Sequence, residues 1–278
     1  MAYKSLLTIK TDDLISKPAL DFAIRVAAQE DAHLDVMCLG IDRTQVGYYY
    51  GGANTLIQQE SLDQARTVSE QLDENAREIL EGTSISWATR HGISQLAGLT
   101  RTVAYQARFA DLVLLPKPYG SDQPQEFETI LEAALFDAHA PVVVVPSGDV
   151  STQPKKVVLA WNESAEALRA LRMALPVLKA ADSVNITIID PPVHSADRSD
   201  PGGMLSQMLS RHGVNAEISV LAKTLPRVSD VLTRHIRDIG ADLLVMGAYG
   251  HSRFREAILG GATRDILENA EIPVFMAH

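Results

Sequence analysis

With 278 residues, 46% hydrophobic and 22% charged, the chain suits two compact α/β domains of ordinary size or one large domain, and global disorder is excluded. The formal net charge of −10 at pH 7 repels phosphate backbones and anionic membrane surfaces, so nucleic acid and membranes are not expected partners. A single cysteine, Cys38, excludes an intrachain disulfide; with no signal-peptide pattern and no apolar stretch of about 20 residues, these features predict a cytoplasmic protein.

The first half of the chain alternates between strand and helix patterns. Residues 6–9 form an apolar run that predicts the first strand, and Pro18 is expected at the first position of the helix that follows. A longer second helix is predicted over the apolar positions between residues 62 and 80. Later strands are predicted at residues 110–115 and 142–145. Cys38, inside an apolar run, is expected to be a buried small hydrophobe.

The second half follows the same order. Short apolar, β-branched runs predict five strands, at residues 156–161, 184–189, 216–221, 243–246 and 274–276. Apolar residues at helical spacing predict four intervening helices, at residues 168–178, 204–209, 228–236 and 261–270. Strands that alternate with helices imply right-handed βαβ crossovers and a parallel sheet with helices on both faces.

An internal repeat relates the two halves. Residues 110–115 (ADLVLL) match residues 241–246 (ADLLVM), and residues 139–145 correspond to residues 271–276 at nearly the same offset. A polar linker over residues 147–154 separates them. The repeat predicts two tandem doubly wound α/β domains, residues 1–149 and 150–278, each with a five-stranded parallel sheet and helices on both faces.

Two predicted strands pose an association problem. Residues 142–145 and 274–276 would both be edge strands, and exposed apolar edges favour aggregation. The simplest solution pairs these edges with each other, so that the chain folds as an internal pseudo-dimer. Assembly of two chains into a homodimer is the alternative.

One glycine-rich motif carries chemistry. Gly247 ends the fourth strand of the second half, Gly250 follows, and nine residues later come Gly260, Gly261 and Thr263. The glycines allow close approach of the backbone, and the helix predicted to begin after Gly260 offers free N–H groups and the positive end of its dipole. A strand before the motif and a helix after it favour a phosphate-binding site over a plain turn.

The glycine spacing, the ADLLVM strand before it and the closing IPV segment resemble the nucleotide-binding motif of universal stress proteins. The resemblance is good over residues 155–278 and weaker over residues 1–147. It implies an adenine nucleotide alpha hydrolase-like fold, dimer-like pairing of domains, and ATP or ADP as ligand, with or without Mg²⁺. Carried over by position, the residues for phosphates and ribose are Gly247, Gly250, Gly260, Gly261, Ala262 and Thr263, and Met246 is also counted among the nucleotide-binding residues. Those facing the nucleoside are Ala160, Trp161, Asn162 and Ile189.

This chain departs from the family pattern in two places. Asn162 stands where nucleotide-binding members usually have Asp, and Gly261 stands where Ser or Thr is usual. In the first half, residues 116–120 (PKPYG) contain two prolines that cannot donate to phosphate, and residues 125–129 contain two carboxylates that would repel it. We therefore expect one nucleotide site per chain, with the first half a structural partner or a site for something uncharged.

Three functions fit these patterns. The leading hypothesis is a stress-response module that binds ATP or ADP in its C-terminal domain and acts through a conformational or binding change, with no assigned catalytic or metal-binding residue and at most slow hydrolysis. Hydrolysis at the rate of an ordinary kinase would contradict it. The alternative is a nucleotide-independent dimeric interaction scaffold. An adenylating enzyme on the related fold is disfavoured, because the segment after residue 161 (NES) offers neither a Ser- and Gly-rich loop nor a His-x-x-His element.

Overall fold

A computed structural model describes residues 3–43, 53–121, 123–191, 200–249 and 261–278. Its tertiary contacts divide the chain into two compact units. Unit 1 consists of Met1–Pro116 and Gln123–Ala140, and unit 2 consists of Lys117–Asp122 and Pro141–His278. The division of the sequence at residues 149 and 150 stays a prediction, since the contacts group residues by packing and assign the chain from Pro141 onward to unit 2.

Unit 1 contains a parallel sheet in the order β3-β2-β1-β4. Its strands are β1 (Ser5–Lys10), β2 (His33–Asp42), β3 (Ser86–Gln95) and β4 (Leu112–Pro116). Its helices are α1 (Asp13–Glu30), α2 (Ala53–Glu81), α3 (Leu96–Ala107) and α4 (Gln125–Glu132), the last continued by a π-helical turn over Ala133–Asp137. The first strand lies inside the sheet, as a doubly wound fold requires.

Helix α1 begins earlier than the sequence suggested, and the prediction that Pro18 opens it is wrong. The helix starts at Asp13, with the carboxylate of Asp12 accepting the N–H of Ile15 at 2.8 Å. A capped N-terminus of this kind satisfies one of the free donors of the first turn. Pro18 lies inside the helix, where it cannot donate to the carbonyl of Leu14, so the cap and not the proline sets the start.

Unit 2 contains the predicted five parallel strands and one antiparallel strand, in the order β5-β10-β9-β6-β7-β8. The strands are β5 (Val142–Val145), β6 (Lys156–Ala160), β7 (Ser183–Ile189), β8 (Ala216–Leu221), β9 (Leu243–Gly247) and β10 (Val274–Ala277). The helices are α5 (Ala165–Ala180), α6 (Gly203–Arg211), α7 (Val228–Ile239) and α8 (Ala262–Asn269). Predicted and observed elements agree closely here because each strand is a short apolar run between polar breaks.

Strand β5 pairs antiparallel with β10 inside unit 2. Val143 lies opposite Phe275, and Val142 lies opposite Met276. The expected pairing of these two apolar strands is thus observed, and it buries all four valines of β5. The internal pseudo-dimer as a whole, like the homodimer, stays a prediction.

The sequence repeat has a structural counterpart in a repeated aspartate. In unit 1, Asp111 accepts the N–H groups of Lys4 and Ser5 at 2.8 and 3.0 Å. In unit 2, Asp242 accepts the N–H groups of Lys155 and Lys156, at 2.9 and 3.0 Å. Each aspartate precedes the fourth strand of its repeat and accepts hydrogen bonds from the start of the first strand. The aspartate of the ADL pattern therefore links these two strands in both units.

Cys38 lies in β2 and is fully buried, as predicted. Burial raises the pKa of its thiol to about 12, which keeps it protonated and unreactive at neutral pH. Within the described ranges, no helix combines the length and hydropathy needed to span a bilayer.

Candidate functional site

A cleft of about 570 Å³ opens at the carboxyl ends of three strands of unit 2. Strand β6 lies between β7 and β9, so the chain leaves β6 toward one side of the sheet and later returns to β9 on the other. Open α/β sheets form a crevice at such a reversal of strand order. Its lining residues are Ala160, Trp161, Asn162, Thr187, Ile189, Val228, Ser229, Leu232, Met246, Gly247, Ala262 and Ile266.

Most of the residues predicted from the sequence meet in this cleft. They are Ala160, Trp161, Asn162, Ile189, Met246, Gly247 and Ala262. Gly261 lies next to the lining as the N-cap residue of α8. Thr263 is 3% exposed, and its hydroxyl accepts the N–H of Tyr249 at 3.3 Å, which links the first turn of α8 to the chain just after β9. Gly250 and Gly260 lie outside the described residues.

Sequence reasoning missed one wall of the cleft. Thr187, Val228, Ser229, Leu232 and Ile266 also line it. Three of these belong to the first turns of α7, which was predicted from the sequence as a helix but not as part of the site. The order of elements could have predicted this contribution. Because α7 follows β8, its N-terminus lies at the same carboxyl edge of the sheet as the glycine motif.

One wall of the cleft is apolar. Trp161, Ile189, Leu232 and Met246 lie at the ends of β6, β7 and β9 and on α7. An aromatic ring beside aliphatic side chains is the environment in which proteins bind planar heterocycles, with a few polar groups fixing orientation.

The cleft lining also includes the N-terminus of helix α8. Gly261 caps this helix in an extended conformation without a side-chain hydrogen bond, and the first helical bond runs from the N–H of Asp265 to its carbonyl at 3.1 Å. The N–H groups of the first turn point out of the helix end, where the dipole favours an anion.

A carboxylate in that first turn is neutralised. Asp265 forms an ion pair with Arg227 at 3.2 Å and accepts the hydroxyl of Ser229, also at 3.2 Å. The Asp265 side chain is only 15% exposed, so its charge would otherwise act strongly on a nearby phosphate. Arg227 and Ser229 thereby keep the helix end suitable for an anion, and they also tie α7 to α8.

Gly247 is required by packing as well as by its place in the cleft. A Cβ atom there would lie 2.5 Å from the backbone nitrogen of Ala167, in the first turn of α5. Gly247 was predicted because a glycine lets a ligand approach the backbone. The structure adds a second reason, since a side chain here would collide with helix α5.

Asn162 differs from an aspartate in the hydrogen-bonding groups that it offers to the cleft. Its side-chain oxygen accepts the N–H of Ser164 at 3.2 Å, and the hydroxyl of Ser164 in turn accepts the N–H of Ala167 at 3.1 Å as the N-cap of α5. The oxygen is thus engaged by the local turn, and the amide group contributes N–H donors, where aspartate would offer only acceptors.

A half-buried polar network is centred on Asn185 and includes Thr187, which lines the cleft. The side-chain oxygen of Asn185 accepts the hydroxyl of Thr187 at 2.8 Å and contacts Nε2 of His235 at 3.0 Å, while its amide donates to Ser219 at 2.9 Å. Because an amide oxygen only accepts, His235 must carry its proton on Nε2. Burial lowers the pKa of His235, so the imidazole is neutral at pH 7.

We expect acid to destabilise unit 2 through His235. Its folded-state pKa lies below the ordinary value of 6.5, so the unfolded chain binds more protons, and stability falls as pH drops below 6.5 toward the folded-state pKa. In a Trp87→Phe background, which leaves Trp161 as the reporter, the midpoint temperature of thermal unfolding followed by fluorescence should decrease between about pH 7 and about pH 5.5. His235→Gln keeps a donor for Asn185 but cannot titrate, so its midpoint should decrease less. Equal decreases in the two proteins would exclude this role.

The corresponding region of unit 1 has a different chemistry. Glu126, in the segment predicted to oppose phosphate, is 2% exposed in the first turn of α4 and forms an ion pair with Arg43. Among the described residues of either unit, no group of three or more His, Cys, Asp or Glu side chains is arranged to hold a metal ion.

Comparison with known proteins shows that the second half of the chain is similar in sequence to universal stress proteins. The model of the universal stress protein family matches residues 154–278. Universal stress protein Slr1230 from Synechocystis sp. is 29% identical over 128 residues, which cover 43% of this chain and 41% of that protein. The chain thus matches less than half the length of this curated relative.

Solved structures extend the similarity to the whole chain at the level of fold. A universal stress protein from Archaeoglobus fulgidus DSM 4304 aligns with a TM-score of 0.68 and 16% identity, covering 98% of this chain and 95% of that one. A universal stress protein in complex with cAMP aligns at 21% identity over 46% of this chain and 98% of that one; its TM-score of 0.39 carries no inference about the ligand here.

Proposed function

Residues 154–278 belong to the universal stress protein family, and from this premise we propose that the second half of the chain binds an adenine nucleotide, ATP or ADP, in the cleft at the ends of β6, β7 and β9. The bound nucleotide acts as a signal: it changes the conformation or the interactions of the protein, with little or slow hydrolysis. The physiological role is regulation in a stress response.

One observation carries this proposal. One cleft is lined both by apolar side chains that include Trp161 and by the N-terminus of α8, which has no side-chain cap. These two environments match the two ends of a nucleotide, because a base prefers aromatic and aliphatic contacts whereas a phosphate prefers free N–H groups at a helix start. In this arrangement Trp161 and Ile189 contact the base, the Asn162 amide donates to a ribose oxygen, and Ala262 begins the turn that receives phosphate.

A carboxylate at the start of α8 tests the site. Ala262→Asp places a negative charge among the lining residues, yet an acidic residue in a first turn stabilises a helix, so the fold is preserved. We expect calorimetric affinity for ATP and ADP, with and without Mg²⁺, to decrease more than tenfold, on the order of 1.4 kcal/mol or more. AMP, with less charge, should lose less.

Ala165→Asp is the matched control. It adds the same charge at the first position of α5, outside the cleft lining, and should leave affinity close to that of the unmodified protein. If the unmodified, folded protein binds none of the three nucleotides, the proposal fails and the glycine motif serves packing, as in a nucleotide-independent interaction scaffold. Equal loss of affinity in both variants would place the phosphates elsewhere.

A further inference from the structure

A short segment from the first half of the sequence packs within unit 2. Lys117–Asp122 lies between β4 and α4 along the chain, yet its tertiary contacts assign it to unit 2. Tyr119 of this segment is 5% exposed, so its side chain is part of the core of that unit. The contacts of Tyr119 therefore determine which part of unit 2 the segment is attached to.

Tyr119 is attached to the glycine motif. The hydroxyl groups of Tyr119 and Tyr249 share a hydrogen bond, with their oxygens 2.6 Å apart. Tyr249 is 7% exposed and lies two residues after β9, between Gly247 and Gly250 of the motif. The two tyrosines occupy corresponding places in the sequence repeat, each followed by a glycine shortly after the fourth strand of its half. Because a hydrogen bond between buried hydroxyl groups is directional, Tyr119 fixes the position of the Tyr249 side chain.

Tyr249 needs such support because of its backbone conformation. Its φ of 52° lies in the left-handed region, which costs free energy in a residue that has a Cβ atom. A residue keeps such a conformation only when several contacts hold it. For Tyr249 these include the hydroxyl of Tyr119 and the hydroxyl of Thr263, which accepts its backbone N–H at 3.3 Å. The course of the chain just after Gly247 therefore depends on a residue from the first half of the sequence.

Tyr119 also contacts the helix whose start receives phosphate in the proposed function. The guanidinium of Arg264, at the third position of α8, lies 4.6 Å from the centroid of the Tyr119 ring. A cation in the first turn of a helix opposes the helix dipole, and an aromatic ring beneath it offsets part of that cost. Tyr119 thus supports the chain after β9 through its hydroxyl and the first turn of α8 through its ring.

We propose that Tyr119 is a positioning residue for the nucleotide site, on which it acts through Tyr249 and Arg264. The inference rests on the proposed function, because it concerns that same site. Coupling free energies are reciprocal, so a bound nucleotide strengthens the attachment of Lys117–Asp122 to unit 2 by the same factor by which Tyr119 strengthens nucleotide binding. The segment between β4 and α4 is then the part of the first half of the sequence that responds to nucleotide.

Removal of the two hydroxyl groups, singly and together, tests the proposal by calorimetry with ATP. Tyr119→Phe and Tyr249→Phe break the same hydrogen bond and keep both rings, and we expect each to weaken affinity about fivefold. The double variant should bind no more weakly than either single variant, because the bond can be lost only once. Tyr3→Phe is the matched control. It removes a similarly buried phenolic hydroxyl in unit 1 and should leave affinity unchanged.

Hydrogen exchange separates positioning from a general loss of stability. Without nucleotide, Tyr119→Phe should speed exchange of the Tyr249 N–H and leave the amides of β6 unchanged. Saturating ATP should slow exchange in Lys117–Asp122 of the unmodified protein, and should slow it less in Tyr249→Phe. A hydrogen bond that serves only the stability of unit 2 would not make the effect of ATP on this segment depend on Tyr249.

The two proposals fail in different ways. If the unmodified protein binds ATP and Tyr119→Phe binds it with equal affinity, the positioning role is overturned and the proposed function is left intact. Effects of Tyr119→Phe and Tyr249→Phe that multiply in the double variant would also overturn it, because the two hydroxyl groups would then act separately. Absence of nucleotide binding by the folded, unmodified protein would overturn both proposals.

Discussion

Replacing Gly40 by alanine should destabilise unit 1 by about 3 kcal/mol, at the upper end of the cost of overpacking. The added Cβ would overlap the backbone carbonyl oxygen of Ala65, and no change of rotamer can move either atom away. Helix α2 would have to move away from β2, losing its buried contacts. Urea denaturation of a Trp161→Phe background, in which Trp87 of β3 is the remaining tryptophan and reports on unit 1, measures the change.

Gly92→Ala is the control for this experiment. Gly92 lies in β3, where an added Cβ would meet no atom within 4 Å and the backbone conformation is an ordinary one. Replacing a strand glycine by alanine at such a position stabilises by roughly 0.5–1 kcal/mol, because the unfolded chain loses conformational freedom. Similar unfolding midpoints for the Gly40 and Gly92 variants would show that α2 does not rest on β2 as described.

Replacing Phe275 by alanine should destabilise unit 2 by about 3–5 kcal/mol. Phe275 is 1% exposed in β10, between Val143 of β5 and Val245 of β9, so truncation leaves a cavity that neither neighbouring strand can fill. A Trp87→Phe background leaves Trp161 as the reporter for unit 2 in urea denaturation.

Met204→Ala provides the comparison for that loss, because Met204 lies in the same unit as Phe275. Met204 is 75% exposed in the first turn of α6. Its truncation should cost no more than about 1 kcal/mol. If the Phe275 variant unfolded at the same urea concentration as the unmodified chain, β10 would not be the packed centre of this sheet.

The site could be predicted from the sequence where strands end and glycines cluster. The ends of β6, β7 and β9 were located correctly from short apolar runs, and the carboxyl edge of a parallel sheet brings such ends together whatever their separation in sequence. The contribution of Val228 and Ser229 could not be predicted in the same way, because an amphipathic helix start has the same pattern whether it covers core or lines a cleft.

Local interactions explain the error at Pro18. The preference of proline for the first helical position is a statistical tendency, whereas the Asp12 side chain accepts a specific hydrogen bond from the N–H of Ile15 that fixes the start of α1. The sequence contains both signals, but only the folded chain shows which one is used.

The α/β class, the tandem repeat, the glycine motif and the pairing of β5 with β10 follow from residue patterns that are local in the chain: apolar runs, helical spacing and matched segments such as ADL. The antiparallel register of β5 on β10 and the need for glycine at positions 40 and 247 are visible only in the folded chain. These depend on the distance between atoms far apart in the sequence, which is set by the close packing of helices on sheets and has no local signature.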